Sequence, residues 1–181
     1  GKKKDSGIAV RQGDDYAFYK GVEMQPSEGI RAHKLAGYEY PMFELDTTEG
    51  WKVFLVEAEN SCDPFELPEV AKNLLSKART SYHFEKLEFP FVEFETDVDI
   101  SWMTGLAVEN GFHIDEAKKK IKLRLDDKGA RAQSAVAYAM RGMSSGTYKI
   151  DKPFFVIFWR EGLQFPAFIA LSGPDSWVKS R

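Results

Sequence analysis

Residues 125–158 read LDDKGARAQSAVAYAMRGMSSGTYKIDKPFFVIF, and the fold turns on this stretch. It opens on the end of an alternating strand. Ile121, Leu123 and Leu125 interleave with Lys120, Lys122, Arg124 and Asp126, the pattern of a half-buried strand with a basic outer face. It closes on Phe154-Phe155-Val156-Ile157-Phe158, an unbroken apolar run of the kind that lies inside a sheet with both faces covered. Between these ends, residues 130–139 carry five alanines among Arg131, Gln133, Ser134, Val136 and Tyr138. Such a run has too little apolar area to anchor itself by burial. It has no proline, and glycine only at its flanks, Gly129 and Gly142, so it does not read as an ordinary turn. The composition predicts an arm that is mobile or able to take more than one conformation.

The rest of the chain sets the frame for that arm. A length of 181 residues suits a single domain, residues 1–181, with one core. Hydrophobic residues make up 43% and aromatics 14%, which excludes a disordered chain. A formal net charge of -3 argues against a nucleic-acid partner, whose phosphates reward excess Lys and Arg. No apolar run reaches the length of a membrane span. The single Cys62 cannot form an internal disulfide, so the redox compartment stays open. Residues 1–7, rich in lysine, read as a flexible, solvated tail.

Short strands separated by turns fill the first half: residues 16–19, 30–35, 38–45 and 51–56, with a hairpin closed by residues 46–50. A helix comes next. Pro68 suits its first turn, Val70, Ala71, Leu74, Leu75 and Ala78 recur at helical spacing, and Lys77 and Arg79 fall where a helix end favours cations. Over residues 82–98 aromatics alternate on both sides of Pro90, which predicts two strand pieces joined at a bend. A short helix is expected over residues 101–108, with Ser101 as its cap. Inner strands are expected at residues 154–159 and 165–171, joined by a turn at Gly162. The fold class is mainly β with a few short helices (α+β).

No residue set reads as catalytic, as a metal centre or as a cofactor site. Gly142-Met143-Ser144-Ser145-Gly146 matches G-x-S-x-G, but that motif acts only where a helix follows, and residues 147–153 read as a strand. His33, His83 and His113 are too far apart in sequence for metal-ligand spacing. Lys118, Lys119, Lys120, Lys122 and Arg124 form a basic cluster. It reads first as the solvated face of a strand and second as a site for a polyanion such as a sulfated glycan. The acidic stretch Glu93, Glu95, Asp97 and Asp99 alternates likewise and could pair with the basic strand, if the two lie side by side.

Tyr148-Lys149-Ile150-Asp151-Lys152-Pro153-Phe154-Phe155-Val156-Ile157-Phe158 resembles the C-terminal signature of the serpin family. The order upstream agrees with it. Asp126-Asp127-Lys128-Gly129 resembles the hinge that ends the strand before a serpin reactive loop, and residues 130–139 resemble the small-residue hinge itself. Residues 87–98 resemble a further family strand, and residues 51–56 the last strand of the family's inner hairpins. The resemblance covers roughly the C-terminal half of a serpin, with an inner sheet forming a barrel-like core.

The resemblance implies a protease inhibitor rather than an enzyme, with residues 129–147 as its reactive loop. The family's loop length puts the scissile bond at Met143-Ser144, or at Arg141 if the register differs by two. Gly129, Ala130, Ala132, Ser134 and Ala135 become the hinge. After cleavage the arm would insert as a strand, which requires small or apolar residues on one face. Ala130, Ala132, Ser134, Val136, Tyr138 and Met140 meet that requirement without a charge. The implied partners are a serine or cysteine protease and a complementary chain or second copy to complete the sheet. The alternative is a non-inhibitory serpin-like binding module. The location stays open, with extracellular or periplasmic favoured over cytoplasmic.

Overall fold

The computed structural model describes residues 2–12, 15–47, 50–59, 62–63, 65–98, 119–125 and 146–180. In chain order its strands are β1 (Lys2–Gln12), β2 (Asp15–Met24), β3 (Ile30–Leu35), β4 (Met42–Asp46), β5 (Lys52–Glu57), β6 (Ala78–Ser81), β7 (Lys86–Pro90), β8 (Val92–Val98), β9 (Lys119–Leu125), β10 (Thr147–Lys149), β11 (Phe154–Trp159) and β12 (Phe168–Ser172). Helix α1 (Leu67–Ser76) lies between β5 and β6.

The apolar run that ends the opening stretch becomes β11, inside a sheet ordered β12-β11-β5-β4-β3-β6. Its two faces enter two cores. Phe154 and Val156 join Phe43, Leu45, Val53 and Leu55 on one side. Phe155 and Ile157 join Met42, Phe54 and Val56 on the other, beneath Ala71 and Leu74 of α1. Burial on both faces is why the sequence shows no alternation there.

The first core is closed by a second sheet, ordered β1-β2-β7-β10. Ile8, Val10, Tyr19, Val22, Met24, Leu87 and Phe89 supply its inner face. The molecule is therefore sheet on sheet, with α1 as a third layer. A two-stranded ladder, β8 with β9, continues from the bend at Phe91.

Several expectations hold. β3 and β11 have the expected bounds, Pro90 ends one strand piece before β8, and β4 pairs with β5 as a hairpin from Asp46↔Lys52 inward. The acidic and basic stretches do lie side by side, with Glu93↔Arg124, Glu95↔Lys122 and Asp97↔Lys120 in register.

Others are corrected. Residues 2–7 are no free tail but the start of β1, with Lys2↔Glu23, Lys3↔Val22 and Lys4↔Gly21 in register. β2 runs through Gly21 because that residue is paired on both sides, with Lys4 and Pro90. Helix α1 ends at Ser76 with no basic residue in its last turn; Lys77 caps it and Arg79 belongs to β6. The strand expected at 165–171 begins only at Phe168, past Pro166, and lies at the sheet's edge among the described residues.

The C-terminal residues stitch the layers together. Val178 donates to the Phe91 carbonyl at 3.0 Å and its own carbonyl accepts from Lys20 at 2.8 Å. Between them Trp177 enters the first core at 4% exposure, edge-on to Tyr19 and stacked on Phe154. Its indole N–H donates to the buried Ser172 hydroxyl at 2.9 Å.

Candidate functional site

The residues implied as hinge and bait, Gly129, Ala130, Ala132, Ser134, Ala135, Arg141, Met143 and Ser144, lie outside the described residues. So do Lys118, His113 and the helix expected at 101–108. The two anchors of the segment 126–145 are described. On the N-terminal side β9 ends at Leu125, and among the described residues it pairs with β8 alone. Lys119, Lys120, Lys122 and Arg124 all fall within β9.

On the C-terminal side Gly146 adopts φ 69°, a left-handed conformation that favours glycine. Its carbonyl accepts from the Glu85 amide at 3.0 Å, and β10 then runs parallel to β7. Gly146 thus leads into a strand, not into the helix that a G-x-S-x-G serine needs. Among the described residues β10 is an edge strand of the second sheet, so the segment joins an edge strand of one sheet to an edge strand of another.

β10 is held from behind by a buried acid. Alternation along β5 puts Glu57 on the side of Val53 and Leu55, towards the inter-sheet core. Its 4% exposed residue accepts from the Tyr148 hydroxyl at 2.6 Å and from the Asp151 amide at 3.3 Å. Burial pushes the Glu57 carboxyl up, and these two hydrogen bonds draw it only part of the way back. Burial, and then the bond to Glu57, push the Tyr148 phenol far above its ordinary value.

A second polar cluster occupies the outer face of the β3–β4–β5 sheet. Glu44 Oε1 accepts from Arg31 at 2.7 Å and pairs with Lys52 at 2.8 Å, while Oε2 lies 2.8 Å from His33 Nε2. Burial pushes the Glu44 carboxyl up, but its bonds to His33, Arg31 and Lys52 together outweigh that and hold it well below the usual carboxylate range. A folded-state value below the unfolded one stabilises the protein above the ordinary carboxylate range, and that contribution is lost as pH falls towards the depressed value. Because Arg31 and Lys52 stay partly exposed, Glu44→Gln is expected to cost about 1–2 kcal/mol at neutral pH, read by urea unfolding. The difference between variant and wild type should shrink below about pH 4.

Beside this cluster lies a cavity of about 320 Å³ under α1, lined by Met42, Phe54, Leu75, Trp159 and Pro166, with His33, Glu44 and Lys72 as polar groups. His83 is exposed and lines a different cavity, of about 330 Å³, together with Arg31 and His33. No group of three His, Cys, Asp or Glu suited to a metal occurs among the described residues.

No family model matches the sequence, and no curated protein does. Solved structures do match. Mouse protein-Z dependent protease inhibitor aligns over 91% of this chain and 48% of its own, with TM-score 0.60 and 12% identity. Serpin48 of the insect Tenebrio molitor aligns over 88% and 47%, with TM-score 0.55 and 12% identity. The chain has the fold of the C-terminal half of a serpin. Human thyroxine-binding globulin, solved with thyroxine, shares that serpin fold over 94% of this chain and 50% of its own, with TM-score 0.62 and 13% identity. The chain thus spans about half the length of these serpins.

Sequence reading missed Glu44 and Glu57, two of the buried acids. Glu57 and Tyr148 are 91 residues apart, and nothing local pairs them. Arg31 and Glu44 were accessible in principle, since a hairpin that sets Arg31 opposite Glu44 puts unlike charges across a ladder. No helix among the described residues is long and apolar enough to cross a membrane.

Proposed function

We propose that this chain is a serpin-like protease inhibitor whose residues 129–147 form a reactive loop, cut between Met143 and Ser144 by a serine or cysteine protease. The observation that carries the reading is the pair of anchors. The segment leaves β9, whose second edge is unpaired among the described residues, and returns on the edge strand β10 of another sheet. A cut arm could then add to β9 as a strand while the new N-terminus stays with β10. A second chain or a second copy would cover the arm's far edge. Two neighbours in fold support the reading by name, one a protease inhibitor and one a highly specific serpin.

The test is incubation with chymotrypsin-like, elastase-like and trypsin-like serine proteases and with a papain-like cysteine protease, followed by denaturing electrophoresis and mass spectrometry. An SDS-stable complex, with a new N-terminus at Ser144, is the expected result. Clean cleavage with no complex from any of them would overturn it. A cut after Arg141 instead would shift the preference to trypsin-like enzymes.

A non-inhibitory binding module is the second reading, favoured by the cavity under α1. Its apolar lining and the rim ammonium of Lys72 suit a small apolar acid, and one neighbour in fold is solved with thyroxine. Saturable quenching of Trp159 fluorescence by such acids, lost in Trp159→Phe, would support it.

A further inference from the structure

β10 is three residues long and, among the described residues, lies at a sheet edge where the chain resumes after the segment 126–145. Among those residues its backbone is bonded on one side only, to β7, and beyond it the Ile150 amide donates to the Glu88 carbonyl at 2.8 Å. Three side-chain fasteners add to this. Ile150 is fully buried in the first core, and Lys149 donates to the Ala9 carbonyl. The third reaches across from the other sheet: Glu57 of β5 holds the Tyr148 hydroxyl and the Asp151 amide, gripping the chain on both sides of Ile150. Tyr148 also packs its ring against Phe43, 4.9 Å between centroids, so its hydroxyl is aimed by the core.

Glu57 is unusual for a buried acid, because among the described residues no ion pair to Lys or Arg within salt-bridge distance accompanies it. The groups facing it from the crossing between the sheets are Tyr148, Asp151 and Lys152. From the turn before β4 come Tyr38, whose hydroxyl donates to the Glu57 carbonyl at 3.0 Å, and Glu39 and Tyr40 behind Lys152. Glu59 bonds Tyr38, and Tyr82 faces Tyr148. The Lys152 ammonium is taken by the Tyr40 hydroxyl at 2.6 Å. Compensation for a charge on Glu57 therefore falls mainly on the Tyr148 hydroxyl and nearby backbone amides.

We propose that Glu57 is a positioning residue which, through Tyr148, clasps β10 to the other sheet and so fixes Gly146, the first described residue after the segment 126–145. Its bearing on a reactive loop rests on the inhibitor reading; the clasp itself does not. Because burial raises the Glu57 carboxyl, the folded state prefers its protonated form. That preference favours folding below the ordinary carboxylate range and is lost as pH rises through the raised value. Above the raised value the buried carboxylate relies on the Tyr148 hydroxyl, so removing that hydroxyl costs more there than below it, where the acid is neutral.

Amide hydrogen exchange on the intact chain tests this. In Tyr148→Phe, protection at Ile150 is expected to fall about 10- to 100-fold at the alkaline end of a pH series and far less at its acid end, with β11 amides unchanged. In Glu57→Gln the pH dependence of protection at Ile150 should vanish. Wild-type protection at Ile150 in Tyr148→Phe, or an equal loss across β11, would overturn the proposal. So would a pH profile in Glu57→Gln that tracks the wild type. If Glu57→Gln does not fold, Tyr148→Phe alone decides. No protease is involved, so failure of the inhibitor reading leaves this outcome readable.

Discussion

Trp177→Ala is expected to lower stability by about 3–5 kcal/mol, the range for truncating a large aromatic in a packed core. Three losses combine. The indole leaves a cavity between Tyr19 and Phe154, to which it is now edge-on and stacked. The Ser172 hydroxyl, fully buried, loses the indole N–H and retains only its contact with Ser176 at 3.0 Å. The C-terminal stitch that ties Lys20 to Phe91 through Val178 also loosens, because Trp177 anchors it. Urea unfolding followed by tyrosine and tryptophan emission measures the change. Trp177→Phe, which refills most of the cavity, should recover more than half of the loss. A Trp177→Ala variant within about 1 kcal/mol of wild type would mean that the C-terminal residues do not lock the two sheets.

The second large effect is expected in the arm and depends on the proposed function. If the cut arm adds to β9, one of its faces meets the core. Ala130, Ala132, Ser134, Val136, Tyr138 and Met140 share that face. Val136→Glu would place a carboxylate on it, at a cost of several kcal/mol unless the group is neutralised. The expected outcome is a chain cut at the normal rate that yields at least about tenfold less SDS-stable complex. Ala137→Glu, on the opposite face and outside the hinge, should leave the yield within about twofold. Equal yields for the two variants would show that the arm does not enter a sheet with that face inward.

How much of this was legible depends on where the ordering forces lie. β11 announced itself because residues packed on both faces must be apolar at every position. β3 did so because Ile30, Ala32 and Leu35 are buried among polar neighbours. β1 and β6 did not. Lys2, Lys3 and Lys4 have no strand signal of their own and become strand because β2 pairs with them, and Arg79, Thr80 and Ser81 depend on β3 in the same way. The acidic and basic stretches were legible as alternation, and the backbone register sets Glu93, Glu95 and Asp97 of β8 opposite Arg124, Lys122 and Lys120 of β9. The site divides likewise. The segment between β9 and β10 lies outside the described residues, while the Glu57–Tyr148 contact is a product of two sheets meeting and has no trace in either local sequence.

The central claim is that the segment 126–145, once cut, becomes a strand beside β9. Differential scanning calorimetry before and after quantitative cleavage between Met143 and Ser144 tests it most directly. About ten new ladder hydrogen bonds at about 1 kcal/mol each would stabilise the cut form by the order of 10 kcal/mol. For a chain of this size a rise in Tm of at least about 10 °C is therefore expected. A cut protein that melts at or below the temperature of the intact one would contradict it.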